Sequence, residues 1–145
     1  MTTSHSALLR RYIDEIWNQG RTELIGELLA ENYVNHSPGS PDMSTDRTGV
    51  VYIVSTMRAA FPDLHYDIED MVVGADAIAA RLTVTGTHLG IFFGLPATGR
   101  RFQVSQINIE HVANGRIVAH HRLTDEASLM RQLTGPARAQ ELADV

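Results

Sequence analysis

A chain of 145 residues with 43% hydrophobic content fills one domain with one core, and no run approaches the roughly 18 uninterrupted apolar residues of a membrane span. Its net charge of −5, from 12 basic and 17 acidic residues, opposes nucleic-acid binding, whose affinity comes from neutralising phosphates. With no cysteine there are no disulfides, thiolate metal sites or cysteine nucleophiles; Met1-Thr2-Thr3-Ser4-His5 lacks the basic and apolar blocks of a signal peptide, so a cytoplasmic protein is expected.

Over residues 5–18, Leu8, Leu9, Tyr12, Ile13, Ile16 and Trp17 form a paired stripe that repeats every four positions. Arg10, Arg11, Asp14, Glu15 and Asn18 fill the other side, which predicts an amphipathic helix stopped by Gly20. A second, shorter helix fits Thr22 to Ala30. The breaker-rich Asn35-His36-Ser37-Pro38-Gly39-Ser40-Pro41-Asp42 reads as a loop. Thr45 is the expected N-cap of a third helix reaching about Ala60, with Val50, Val51, Ile53, Val54 and Met57 on its apolar side. Phe61-Pro62-Asp63 ends it, because proline disfavours helical geometry in the residue before it.

From here the period becomes two. Strands are expected at Leu64–Val73, Ala77–His88, Phe102–Val112 and Arg116–Thr124. Gly74-Ala75-Asp76 and the hairpin signal Asn114-Gly115 join neighbours, and a longer loop, Gly90 to Gly99, joins the middle pair. Helices first and an antiparallel sheet afterwards make an α+β domain, with the N-terminal helices packed on a curved sheet. One domain covers 1–145, its core about 5–135, with a flexible tail after Gly135-Pro136.

Alternation in the last strand sets Ile117, Ala119, His121, Leu123 and Asp125 on one parity, against the more polar Val118, His120, Arg122 and Thr124. In the strand before it, Ser105, Ile107, Ile109 and His111 oppose Gln106, Asn108 and Glu110. If the apolar sets face the core, His111, His121 and Asp125 enter a cavity, where burial and neighbours suit such groups to proton transfer. Two other readings stand beside that one: His111 and Asp125 as a buried structural pair, or Asp125 as the N-cap of a helix beginning at Glu126. Val84, Val104, Val112 and Val118 would then be free to supply a subunit interface.

Metal binding has little support. Adjacent His120 and His121 point to opposite faces, no helical His-x-x-x-His spacing occurs, and His5, His36, His65 and His88 fall in loops or element ends. There is no Gly-x-Gly-x-x-Gly, phosphate-binding loop or Gly-x-Ser-x-Gly, so neither a metal nor a cofactor is expected.

Three segments taken in order carry a family resemblance: Ile16-Trp17-Asn18-Gln19-Gly20 followed by Tyr33-Val34-Asn35-His36; Phe61-Pro62-Asp63; and Gly86-Thr87-His88-Leu89-Gly90-Ile91-Phe92-Phe93-Gly94-Leu95-Pro96-Ala97-Thr98-Gly99-Arg100, leading to Asp125 and Arg131-Gln132-Leu133. Over about residues 8 to 135 the chain resembles the SnoaL-like polyketide cyclases. The resemblance implies a cone-shaped α+β barrel of the ketosteroid-isomerase and nuclear-transport-factor-two type, assembled as a homodimer or homotetramer. It further implies intramolecular aldol closure of an apolar polyketide ring, without metal or nucleotide. Asp125 matches the family's acid/base aspartate and His111 the histidine near the ligand. Trp17 matches the pocket aromatic of the first helix and Ile53 a third-helix pocket position. Asn35, Met57, Phe61 and His121 complete the expected substrate-binding set. Trp17 is bulkier than the Tyr or Phe expected there, and His121 replaces a frequent Trp.

On this reading Asp125 removes a proton from a carbon between carbonyls and His111 donates to the carbonyl oxygen. Walls including Trp17, Ile53, Met57 and Phe61 should raise the carboxylate's pKa by desolvation. Rival readings are a cofactor-less hydroxylation component or an isomerase, an epoxide hydrolase centred on Arg81, and a non-catalytic binding or oligomerisation module. A fold alone does not choose among them.

Overall fold

A stripe that repeats every four residues drifts by ~40° per step on an α-helix of ~3.6 residues per turn. The structure, a computed structural model describing residues 4–135, resolves that mismatch by changing the helix. Helix α1 (His5–Arg11), capped by Ser4 whose Oγ accepts the Ala7 N–H at 3.1 Å, continues as a π-helical stretch, Tyr12–Asn18. The wider π turn drifts the other way. Leu8, Leu9, Tyr12, Ile13, Ile16 and Trp17 therefore all stay on the core side, none more than 9% exposed.

The expected second helix, Thr22 to Ala30, forms only as far as Leu28. A 3-10 turn (Thr22–Leu24) and a short α2 (Ile25–Leu28) give way to strand β1 (Leu29–Asn35), which pairs in parallel at the sheet edge. Leu28-Leu29 reads as a helical pair, yet Leu28 ends α2 and Leu29 opens the strand. Helix α3 (Arg47–Ala60) is capped by Asp46 rather than Thr45. The remaining strands are β2 (His65–Val73), β3 (Ala77–Thr87), β4 (Arg101–Ala113) and β5 (Arg116–Thr124), followed by α4 (Glu126–Thr134). They form one sheet ordered β1-β5-β4-β3-β2, antiparallel except for β1. Asn114 and Gly115, with φ of 52° and 74°, make the tight hairpin between β4 and β5. The fold is α+β, as expected. No helix among the described residues is long and apolar enough to cross a membrane. The tail expected to be flexible lies outside the described residues.

The strand parity is opposite to the expected one over the part that matters. On β4 it is Phe102, Val104, Gln106, Asn108, Glu110 and Val112 that are buried, while Ser105, Ile107, Ile109 and His111 lie on the outer face. On β5 the alternation breaks: His111 pairs with Ala119 but Val112 pairs with Ile117, so Val118 is an extra, bulged residue. Ile117 and His120, three positions apart, consequently both face the core, and His121 and Leu123 face outward. Val84, Val104 and Val112, assigned above to an interface, are core residues; Val118 is the half-buried bulge. Arg81 is exposed on β3 opposite Ile107, so no relay is built around it inside.

Candidate active site

The concave face of the sheet, the π-helical stretch, α3 and the first turns of α4 enclose a cavity of about 190 Å³. Its walls are apolar: Ile13 and Trp17 come from the first helix, Ile53 and Met57 from α3, Phe92 and Phe93 from the loop after β3. Trp17 packs on Tyr66 with ring centroids 5.2 Å apart.

The floor is polar and ordered as cross-strand pairs. Glu110 lies opposite His120, Asn108 opposite Arg122 and Gln106 opposite Thr124. Burying this many polar groups is costly unless they satisfy one another, and here they do so in one direction. The Thr124 hydroxyl donates to Gln106 Oε1 at 2.9 Å, Gln106 Nε2 to Asn108 Oδ1 at 2.9 Å, and Asn108 Nδ2 to Glu110 Oε2 at 3.3 Å. The chain ends on a carboxylate only 1% exposed. His120 Nδ1 lies 2.6 Å from Glu110 Oε1 and 2.9 Å from Oε2. With Glu110 accepting, Nδ1 carries the shared proton, and a neutral imidazole so held has its lone pair on Nε2. His120 lines the cavity, and its Nε2 makes no hydrogen bond with any described residue and is not sealed from access. The result is a buried imidazole on the polar floor of a cavity with apolar walls.

Burial pushes the hydroxyl pKa of Tyr12, Tyr33 and Tyr66 above the usual phenol range, and the Glu110 charge adds to this at Tyr12 and Tyr33. These phenols stay protonated and are excluded as bases.

Two of the quoted sequence segments meet behind the cavity. Asp63 Oδ1 accepts the Thr87 N–H and Oδ2 the Thr87 hydroxyl, both at 2.7 Å. His88, wholly buried, packs on Phe61 at 5.5 Å, and its Nδ1 accepts the Thr98 N–H at 3.3 Å. The N–H groups of Leu89 and Gly90 both donate to Ala60 O at 3.0 Å. A Cβ at Gly90 would lie 2.2 Å from the Ala59 carbonyl oxygen, so this close docking admits only glycine. The Gly-Thr-His segment thus anchors the loop that presents Phe92 and Phe93.

Of the residues expected in the site, Trp17, Ile53 and Met57 line the cavity. Phe61 is behind the wall, packed edge-on to Phe102 at 4.8 Å. Asn35 is buried but turns its Oδ1 to the Ser37 N–H at 2.8 Å, fixing the loop after β1. His111 and His121 are on the outer face, where His121 stacks on His36 at 4.6 Å and meets His111 edge-on at 5.7 Å. Asp125 is exposed and caps α4. Hydrogen bonds from the Ser128 hydroxyl and N–H hold its pKa below the usual carboxylate range, the reverse of the expected rise. His120, Glu110, Asn108 and Arg122 were passed over. Their signal was present: on their parity Phe102, Val104 and Val112 flank the polar run at both ends. Among the described residues no group of three or more His, Asp or Glu is gathered as metal ligands.

Residues 7–133 match the family model described as SnoaL-like polyketide cyclase. The chain belongs to that family. Among its relatives, the aklanonic acid methyl ester cyclase DnrD of Streptomyces peucetius is 30% identical over 133 residues, covering 89% of this chain and 90% of that protein. The nogalonic acid methyl ester cyclase of Streptomyces nogalater is 27% identical over 122 residues, covering 83% and 90%. Among solved structures of the fold, TsrD from Streptomyces laurentii superposes with a TM-score of 0.80 at 27% identity, covering 90% of this chain and 95% of that one. IdmH from Streptomyces antibioticus gives 0.78 at 32% identity, covering 88% and 96%.

Proposed function

We propose that this SnoaL-like domain catalyses an intramolecular aldol cyclisation of a polyketide-type carbonyl compound, with His120 as the acid/base. The observation that carries this reading is the unengaged Nε2 of His120 in an apolar cavity, with Nδ1 held by the buried Glu110. His120 Nε2 takes a proton from the acidic carbon between two carbonyls. The resulting enolate carbon attacks a second carbonyl carbon in the same molecule, and the carbon–carbon bond forms. The new alkoxide recovers the proton from Nε2–H, so His120 ends as it began. Glu110 compensates the charge on the imidazolium between the two transfers. A cavity of about 150 Å³ is known to hold benzene, so about 190 Å³ here accepts the reacting ring end while the rest of the substrate extends through the mouth.

The test is turnover of aklanonic acid methyl ester, the compound named for the DnrD relative, and of its free acid, by wild-type and His120→Asn protein. Loss on the order of 100-fold or more in the variant, with its fold intact by circular dichroism, is expected. A folded variant at full rate would remove His120 as the base.

We also propose that a second copy covers the outer sheet face, giving a homodimer or homotetramer. Ile107, Ile109 and Leu123 form an apolar row there, 50%, 42% and 78% exposed, on a face that a solvated antiparallel sheet normally makes polar. Light scattering should report an assembly for wild-type protein and a smaller species for Ile109→Asp; a wild-type monomer overturns it.

A further inference from the structure

We propose that Arg122 makes this cavity selective for an organic acid, whose carboxylate docks on the guanidinium about one strand step from the carbon that His120 deprotonates. The inference rests on the proposed function for the role of His120, and goes beyond it in naming the substrate's charge.

Five of the six floor residues engage one another through their side chains. Arg122 is the exception: only its backbone N–H is used, donating to Ser37 Oγ at 2.9 Å, and its guanidinium makes no hydrogen bond or ion pair with any described residue. Asn108, its cross-strand partner, has both amide atoms committed to Gln106 and Glu110. Glu126 lines the cavity too but makes no ion pair with Arg122. The guanidinium nevertheless points inward. It lines the cavity, and its positive charge reaches the hydroxyls of Tyr12, Tyr33 and Tyr66 in the core, where it opposes the upward push of burial.

Five donors in a planar fork facing an apolar enclosure match a carboxylate, which takes two parallel N–H bonds. A neutral ester offers one weak acceptor and cannot compensate the charge. His120 and Arg122 are successive inward positions on β5, so the docked carboxylate and the reacting carbon lie ~7 Å apart. A substrate with its acid group one ring's width from an activated methylene fits both.

Trp17 is the sole tryptophan and lines the cavity, so its fluorescence reports occupancy without any turnover. Titration with 2-naphthoate and methyl 2-naphthoate at pH 7 compares acid with ester on one bicyclic frame. The wild-type protein should bind the acid about 10-fold more tightly than the ester. Arg122→Gln should lose that preference with ester affinity kept, and Arg122→Lys, which keeps charge without the fork, should retain part of it. An acid that binds no tighter than its ester, or not at all, overturns the proposal, as does a preference that survives in folded Arg122→Gln. If Arg122→Gln does not fold, the wild-type comparison and Arg122→Lys still decide. His120→Asn separates the two readings: it should keep the acid preference while turnover is lost, and an active His120→Asn that still prefers the acid would sink only the base assignment.

Discussion

Asp125 grips Ser128 with both carboxylate oxygens, Oδ1 accepting the Ser128 N–H at 3.1 Å and Oδ2 the Ser128 hydroxyl at 2.7 Å. Both oxygens are committed to starting α4, outside the cavity. Asp125→Asn, whose amide oxygen still caps, should therefore keep nearly wild-type turnover. Asp125→Ala should lower the melting temperature by roughly a few degrees through the lost cap, again with the site intact. Paired melts and rate measurements check this, and a large rate loss in a folded Asp125→Asn protein would return the aspartate to the chemistry.

Capping also sets the acid sensitivity. Asp46 accepts from the Thr48 hydroxyl, the Ser44 hydroxyl at 2.7 Å and the Thr48 N–H at 2.9 Å. These bonds hold its pKa at about 2, against an ordinary value of 3.8. A depressed carboxylate stabilises the folded state above its unfolded pKa and loses that contribution as pH falls through the folded one. The contribution of Asp46 is thus complete above about pH 4 and fades towards pH 2, and that of Asp125 fades in the same sense. Asp46→Asn should flatten the acid limb of a melting-temperature profile between those limits; an unchanged limb would show that Asp46 does not contribute to it.

Glu110→Gln tests the carboxylate behind the base. Volume is conserved, and the amide oxygen can still accept from His120 Nδ1. The negative charge is lost, and the amide's NH₂ must face the Asn108 donor that Glu110 now satisfies. We expect a rate loss of about 10- to 100-fold, appearing in kcat more than KM, because compensation matters only once the imidazole carries the proton. A change confined to KM would assign Glu110 to ligand placement instead.

Gly90→Ala tests the anchoring of the aromatic loop. The added methyl collides with the Ala59 carbonyl, and the two N–H bonds to Ala60 O must lengthen or break. Phe92 and Phe93 should then be released from the cavity wall, raising KM on the order of 10-fold. Faster proteolysis within residues 89–99 is the accompanying signature; unchanged KM and unchanged cleavage would show that the loop docks without these bonds.

The architecture was legible because period and punctuation agree. The break at Phe61-Pro62-Asp63 and the Asn114-Gly115 turn each permit one local structure. The four-residue stripe names a helix and its buried side, though not its π turn, while strand β1 falls where the sequence reads as a helix and a loop. The site was not legible, for a reason local to β4 and β5. Inward-facing was equated with apolar, and Gln106, Asn108 and Glu110 break that equation by satisfying one another. Ile107 and Ile109, more hydrophobic, lie outside. Trp17, Ile53 and Met57 were found because a helix facing the cavity obeys the ordinary rule, whereas the bulge at Val118 carries no local composition signal at all.

That single extra residue has an evolutionary consequence. Strand side chains alternate with a strict period of two, and Val118 is the residue that sets Ile117 and His120 three positions apart on one face. Deleting Val118 would bring them to the ordinary spacing of two, with His120 and Arg122 still opposite Glu110 and Asn108. Deleting His121 instead would carry Leu123 inward and Arg122 outward, because no spare residue lies beyond the bulge. Loss of a codon is therefore absorbed at one place on this strand, and beyond it the same loss rewrites the floor.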